Sequence, residues 1–307
     1  MTPREVLQRV RRIEIGTRRA VAGTLSGQYH SVFKGRGMDF SEVRAYHPGD
    51  EVRSIDWNVT ARTGHLHVKR FVEERELTVM VLCDLSGSAD FGSGERTKAE
   101  VAAEIAALVA MSAVANGDRV GLVLFTDRVE RFVPPRKGRR HALRIVSEIL
   151  QARPASRGTS LTAALEFLRK ALPRRTVAFV LSDFLEAGPF ASPWPGGRPP
   201  AFPFERALRI AARKHDLIPV RLGDRLESDL PAAGVAWVED PETGAVTRLD
   251  LSRAVRERFR AAVQAEDQAL TRLFARLQLD HAAVRADDAD YVTPLVAFFR
   301  ARARRHG

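Results

Sequence analysis

The chain is 307 residues long, 45% hydrophobic and 28% charged, enough for a large core in one domain or two. No apolar run approaches the ~18–20 residues that span a bilayer, and residues 1–19 lack the apolar stretch of a secretory signal, so a cytoplasmic location is the default expectation. The net charge of +11 keeps an anionic partner in view, while the single cysteine, Cys83, excludes an internal disulfide framework and a cysteine-rich zinc site.

Residues 1–76 are expected to hold an N-terminal helix and a β-rich appendage. Residues 27–75 mix Gly, Arg, Asp and His with short alternating segments. There His65 and His67 alternate along an expected strand and would share one face. They are either surface histidines or, with His30 or His47, a metal cluster. Trp57 is expected to anchor the appendage, and Arg62 to pair with Asp50 or Asp56.

From Leu77 onward strand and helix alternate, as in a parallel α/β sheet. Leu77 to Cys83 is an almost continuous apolar strand, the pattern produced when helices cover both faces. Lys98 to Asn116 is a helix apolar nearly all round, stopped at Asn116-Gly117. Arg119 to Phe125 is the next strand, followed by an edge hairpin over Arg128 to Val133. Helices are expected at 140–151 and 161–171, and a second buried strand at Thr176 to Leu181. A helix at Phe204 to Lys214 and a strand at Leu217 to Leu222 follow. The run from Gly188 to Pro203 holds too many Pro and Gly residues for helix or central strand. It is either a surface insertion or a partner-contacting flap carrying Trp194 and Phe202.

Val235 to Glu239 and Ala245 to Leu249 read as a hairpin around Asp240-Pro241-Glu242-Thr243-Gly244. Residues 77–250 would then form the α/β domain. Residues 251–307 would be a helical extension, with amphipathic helices at Ser252 to Leu277 and Asp290 to Arg304.

The chemistry concentrates where strands end. Asp84, Ser86 and Ser88 form D-x-S-x-S after the strand ending at Cys83. In an open α/β sheet ligands sit at such carboxyl ends, near a topological switch point. Two further loops emerge there: Arg157-Gly158-Thr159-Ser160 precedes a helix, and Ser182-Asp183 follows the strand at 176–181. Together the three loops offer Asp84, Ser86, Ser88, Thr159 and Asp183. Hydroxyl and carboxylate oxygens suit a hard divalent cation, Mg2+ or else Mn2+ or Ca2+.

The order D-x-S-x-S, Gly-Thr, Ser-Asp resembles the metal-ion-dependent adhesion site of von Willebrand factor A domains. Upstream, Phe33-Lys34-Gly35-Arg36-Gly37-Met38-Asp39-Phe40-Ser41-Glu42-Val43-Arg44 and Tyr46-His47-Pro48-Gly49-Asp50-Glu51-Val52-Arg53-Ser54-Ile55-Asp56-Trp57 resemble the prokaryotic family called domain of unknown function 58. So do Ala61-Arg62 and Val68-Lys69-Arg70-Phe71. The resemblance implies a doubly wound, Rossmann-like, mostly parallel sheet flanked by helices, with a β-rich region before it. It also implies work beside a MoxR-type AAA+ ATPase in assembling or activating other proteins. The ATPase or a client protein would complete the metal shell with an Asp or Glu.

An enzyme is not expected. Haloacid-dehalogenase-type phosphatases use D-x-D where this chain has Ser86, and neither a G-x-S-x-G elbow nor a phosphate-binding G-x-x-x-x-G-K-[ST] loop is present. The alternative is nucleic-acid binding through two basic clusters. One is Arg131, Arg136, Lys137, Arg139 and Arg140 around an expected Pro-Pro turn, and the other is Arg300, Arg302, Arg304 and Arg305. Neither is interleaved with the aromatics that single-strand binders use for stacking.

Overall fold

The computed structural model describes residues 3–20, 29, 38–73, 76–186, 202–232 and 234–306. A six-stranded sheet organises them. Its strands are β3 (Thr78–Asp84), β4 (Arg119–Phe125), β5 (Val129–Arg136), β6 (Val177–Ser182), β7 (Asp216–Gly223) and β10 (Ala282–Arg285), in the order β10-β7-β6-β3-β4-β5. All neighbours run parallel except the edge pair β4 and β5. This is the expected doubly wound, mostly parallel sheet. From β3 the chain winds outward to β4 and β5, then returns to the other side for β6 and β7. The β3–β6 junction is therefore the switch point, where loops leave in opposite directions and open a crevice.

Strand pleating divides the core into two layers. Val79, Val81 and Cys83 face one side, with Phe179, Phe298, Phe299 and the buried helix α3 (Lys98–Ala115). Met80 and Leu82 face the other, with Phe125, Val180, Leu208 and Phe274. Cys83 is fully buried, as a small hydrophobe would be. Helix α3 starts on a capping box between Thr97 and Glu100. It stops at Asn116, where Gly117 takes φ +78° that other residues resist. The amphipathic α1 (Pro3–Ala20) packs Val6, Val10 and Ile13 against Ala107 of α3 and Val146 of α4 (Arg139–Gln151).

The remaining helices are α5 (Leu161–Ala171), α6 (Glu205–Lys214), α7 (Arg253–Arg276) and α8 (Val292–His306). The C-terminal extension is not helical throughout, because Ala282–Arg285 form β10 and join the sheet beside β7. Two alanines in four residues carry no strand propensity, so tertiary pairing decides the conformation there. Among the described residues no helix is long and apolar enough to cross a membrane.

The N-terminal appendage pairs β1 (Met38–Ala45) with β2 (His67–Glu73) antiparallel, around the short helix α2 (Trp57–Thr63). Three expectations there are corrected. Trp57 opens α2 and is 63% exposed, so it does not anchor the appendage. Asp50 is held by Arg44 in a two-pronged bond of 2.7 and 2.8 Å rather than by Arg62. Asp56 caps α2 and faces Lys69 at 3.6 Å. His65 lies in a bend before β2, and its carbonyl oxygen is 2.8 Å from Nδ1 of His67, so the two rings do not share a strand face.

The Pro-Pro turn is also corrected. Pro134 and Pro135 lie inside β5, an edge strand, where a missing N–H is tolerated. Most of the 188–203 segment, Trp194 included, falls outside the described residues. Phe202, its described aromatic, stacks 5.4 Å from Phe204 against the core. Replacing Phe179, which is fully buried in the layer of Val79, Val81 and Cys83, with Ala should cost about 3–5 kcal/mol. Urea unfolding followed by circular dichroism will measure it, and a loss below about 1 kcal/mol would contradict this packing.

Candidate metal centre

Asp84 closes β3 and is buried, with both carboxylate oxygens engaged. Oδ1 accepts the Ser86 amide at 2.9 Å, and Oδ2 accepts the Ser182 hydroxyl at 2.6 Å. The chain then makes a tight single-turn helix at Gly87–Asp90. This turn brings the hydroxyls of Ser86 and Ser88 to 3.2 Å from each other. Ser88 donates to Asp183 Oδ2 at 2.6 Å, joining the loop after β3 to the loop after β6. Asp84, Ser86, Ser88 and Asp183 thus meet in one buried set of oxygens.

The loop after β6 is fixed by an unusual backbone. Phe184 takes φ 62°, a left-handed conformation costing a non-glycine residue about 1–2 kcal/mol. Burial of its ring against Phe204 and Phe274 offsets that cost. The Ser182 hydroxyl accepts the Phe184 amide at 2.9 Å, and Asp183 Oδ1 accepts the Leu185 amide at 3.1 Å. Asp183 is thereby aimed at Ser88.

Thr159 stands apart from the other four. Its loop reaches the first through the Gly87 amide, which donates to the Arg157 carbonyl at 2.7 Å. Its hydroxyl donates to Glu242 at 2.6 Å. Glu242 sits in the turn between β8 (Val235–Glu239) and β9 (Val246–Asp250), whose backbone lies directly on the Asp84–Ser88 loop. A Cβ built on Gly87 would stand 1.9 Å from the Pro241 carbonyl oxygen. Position 87 therefore accepts only glycine without moving backbone.

Four further residues belong to the site: Lys98, Ser182, Glu227 and Glu242. Lys98 is 2% exposed and donates to Asp183 at 2.7 Å and to Glu227 at 2.5 Å. Its position as the first residue of α3 gave no sign of this, since the bonds span 85 and 129 residues of sequence. Glu242 was legible only as a turn residue.

Charge is unevenly balanced here. Burial, reinforced by the charge of Asp183, pushes the Asp84 carboxyl up to about 7. Burial alone would raise Asp183 as well, but the Lys98 ammonium outweighs it and holds this carboxyl low. Burial raises Glu242 too, with Asp183 adding to the effect against the Thr159 hydrogen bond. The donors are hard oxygens, and the Lys98 ammonium is shared between Asp183 and Glu227, while Asp84 and Glu242 accept from hydroxyls and, for Asp84, an amide. That donor set fits a divalent cation. Among the described residues no group of three or more His, Cys, Asp or Glu side chains is arranged to hold a metal, so the hydroxyls are essential to the fit.

The basic clusters are largely engaged in ion pairs. Arg131 faces Glu148 at 3.1 Å, Lys137 faces Glu76, and Arg139 bonds Glu14. Arg302 is 3% exposed and gripped by Asp216, while Arg305 pairs with Asp280 at 2.7 Å. The C-terminal cluster is therefore not one open cationic face.

The model of the family described as "Protein of unknown function DUF58" matches residues 42–269. The chain belongs to this family. All the site residues named above lie within the matched span. Similar proteins include uncharacterized protein Rv1480 of Mycobacterium tuberculosis, 31% identical over 96% of this chain and 89% of that protein. Uncharacterized protein MAV169 of Mycobacterium avium is 27% identical over 56% of this chain and 94% of its own length. Among solved structures, BatB from Bacteroides thetaiotaomicron aligns over 74% of this chain and 99% of that chain, with 15% identity and a TM-score of 0.44. The VWA domain of SpRpn10 aligns over 72% and 93%, with 13% identity and a TM-score of 0.36.

Two consequences can be measured. With chelator present, the stability contributed by protonated Asp84 is complete below the unfolded pKa near ~4 and is lost as pH rises to about 7. The difference in unfolding free energy between wild type and Asp84→Asn should therefore fall across that window, by at most about 1.4 kcal/mol per pH unit. A flat difference in urea titrations would contradict the burial of this carboxyl. Separately, Gly87→Ala should cost about 1–3 kcal/mol and speed proteolysis within 240–245, since the turn must lift. Unchanged cleavage would show that the turn does not rest on Gly87.

Proposed function

We propose that this protein is a metal-dependent protein-interaction module. It would serve as an adaptor or co-chaperone for a MoxR-type AAA+ ATPase that assembles or activates other proteins. The observation that carries the metal-dependent reading is the convergence of Asp84, Ser86, Ser88 and Asp183 into one buried oxygen cluster at the switch point. Buried carboxylates without matching positive charge are costly, and a divalent cation would supply that charge. The identity of the ATPase partner, and with it a cytoplasmic setting, rests on the family resemblance.

Ser86, Ser88 and Thr159 would hold Mg2+, or Mn2+ or Ca2+, through neutral hydroxyls. Asp84 and Asp183 would orient those hydroxyls or act through water. When bound, the cation supplies an electrophilic docking point for a carboxylate. The protein's own contribution is a hydrogen-bonded frame that holds the Ser86 and Ser88 hydroxyls 3.2 Å apart, with Thr159 on the neighbouring loop. We read the site as binding rather than turnover, because Ser86 occupies the place where D-x-D phosphatases carry their second acid.

Calorimetric titration with Mg2+ tests the site. Asp84→Asn and Ser88→Ala should each weaken Mg2+ binding about 10–100-fold while thermal unfolding stays cooperative. Capture of the ATPase from cell extract should disappear when chelator is added. Mg2+ affinity unchanged in both variants would refute the site assignment, and chelator-resistant capture would refute metal-dependent docking.

A further inference from the structure

Among the described residues the hairpin β8–β9 pairs with no strand of the main sheet. It is a separate two-stranded sheet, tied at its base by Leu249 and Ala236 to the cluster of Leu230, Leu251 and Phe259. Its tip is braced internally. Asp240 Oδ1 accepts the Glu242 amide at 3.0 Å, Oδ2 accepts the Thr243 hydroxyl at 2.7 Å, and the Asp240 carbonyl accepts the Gly244 amide at 2.7 Å. A turn locked this way delivers one side chain in a fixed direction. The side chain delivered is Glu242, and it meets the hydroxyl of Thr159.

Two independent contacts place this turn over the cation site. Glu242 engages Thr159, the one predicted donor that the other four do not reach directly. Pro241 rests on Gly87, between the two serines of the Asp84–Ser88 loop. We propose that Glu242 is itself a ligand of the cation site, so that the chain closes the shell in cis and a partner's carboxylate docks by exchanging with it. The inference rests on the metal-dependent reading above and deepens it. The docking position is already held by this chain's own carboxylate, and the hairpin tip must lift for a partner to enter. Partner recognition then selects an acidic residue that outcompetes Glu242, and weak carboxylates are excluded by a competitor of high local concentration.

Glu242→Gln separates the charge from the hydrogen bond, because the amide oxygen still accepts from Thr159. Glu239→Gln, on the exposed side of the same hairpin and 3.9 Å from the exposed Arg157 side chain, removes the same charge without touching Thr159 or the seat on Gly87. The probe is Mn2+ added to the full chain, with affinity read by calorimetry and bound water by proton relaxation. Glu242→Gln is expected to weaken Mn2+ binding about 10-fold and to add one water to the bound ion. Glu239→Gln is expected to change neither. If wild type binds Mn2+, Asp84→Asn does not, and Glu242→Gln binds as tightly as wild type with unchanged relaxation, the cis ligand is refuted while the site survives. If wild type itself fails to bind Mn2+, the site reading and the cis ligand fall together.

Discussion

Asp84 and Asp183 stand at the ends of two neighbouring parallel strands, both buried and both within one hydrogen-bonded set of oxygens. Water does not screen them there, so each must be neutralised, paired or protonated. The structure treats the two differently. Asp183 receives Lys98, which reaches it from the first turn of α3. Asp84 receives, among the described residues, hydroxyl and amide donors, and burial drives it towards its neutral form. A site that keeps one buried carboxylate ionised and leaves another without a cation is asymmetric, and that asymmetry directs where positive charge can enter.

The rest of the fold serves this arrangement. The switch point sends the loops after β3 and β6 in opposite directions and opens a crevice between them, which a sheet wound in one direction would not do. Parallel pairing of Cys83 with Leu181 sets Asp84 level with Ser182, whose hydroxyl it accepts, and one residue short of Asp183. Phe184 accepts a left-handed backbone because the rings of Phe204 and Phe274 bury it, so core packing maintains local strain at the site. The capping box that starts α3 fixes the residue after Thr97, and that residue is Lys98. Positioning of the ammonium thus depends on helix initiation as much as on ion pairing.

The sheet was legible in the sequence because its strands are apolar on both faces and bounded by helices of clear period. Met80 and Leu82 pack one layer, while Val81 and Cys83 pack the other. The short strand at Ala282–Arg285 was not legible, since it is four residues long with two alanines and the edge of β7 recruits it. Four site residues could be placed together because D-x-S-x-S and Ser-Asp each follow an apolar strand. Thr159 was correctly set on a neighbouring loop, but its hydroxyl partner came from a hairpin read only as a turn. Lys98 escaped for a different reason. A lysine at a helix start ordinarily reaches solvent, and only the fold reveals two carboxylates waiting at 2.5 and 2.7 Å. Trp57 shows the reverse error, because a large aromatic in a dense motif suggests a core anchor, yet it lies exposed at the start of α2.

Charge balance links these parts. Lys98 answers Glu227 through one bond and Asp183 through another, so one ammonium is shared between two carboxylates. A divalent cation would match the charge left on Asp84 and Asp183, and Glu242 would then be the surplus carboxylate at the open side. Exchanging Glu242 for a partner's Asp or Glu leaves that charge count unchanged. The exchange is then decided by what the hairpin loses when its tip rises: the Thr159 hydrogen bond and the seat on Gly87. A hydrogen bond to a charged carboxylate contributes about 1.5–3 kcal/mol net, small beside the stability of a whole domain. The apolar base at Leu249 and Leu251 keeps the hairpin tethered while its tip moves. A strong anchor at one end and a weak latch at the other is the arrangement that lets a carboxylate be displaced without unfolding the domain that carries it.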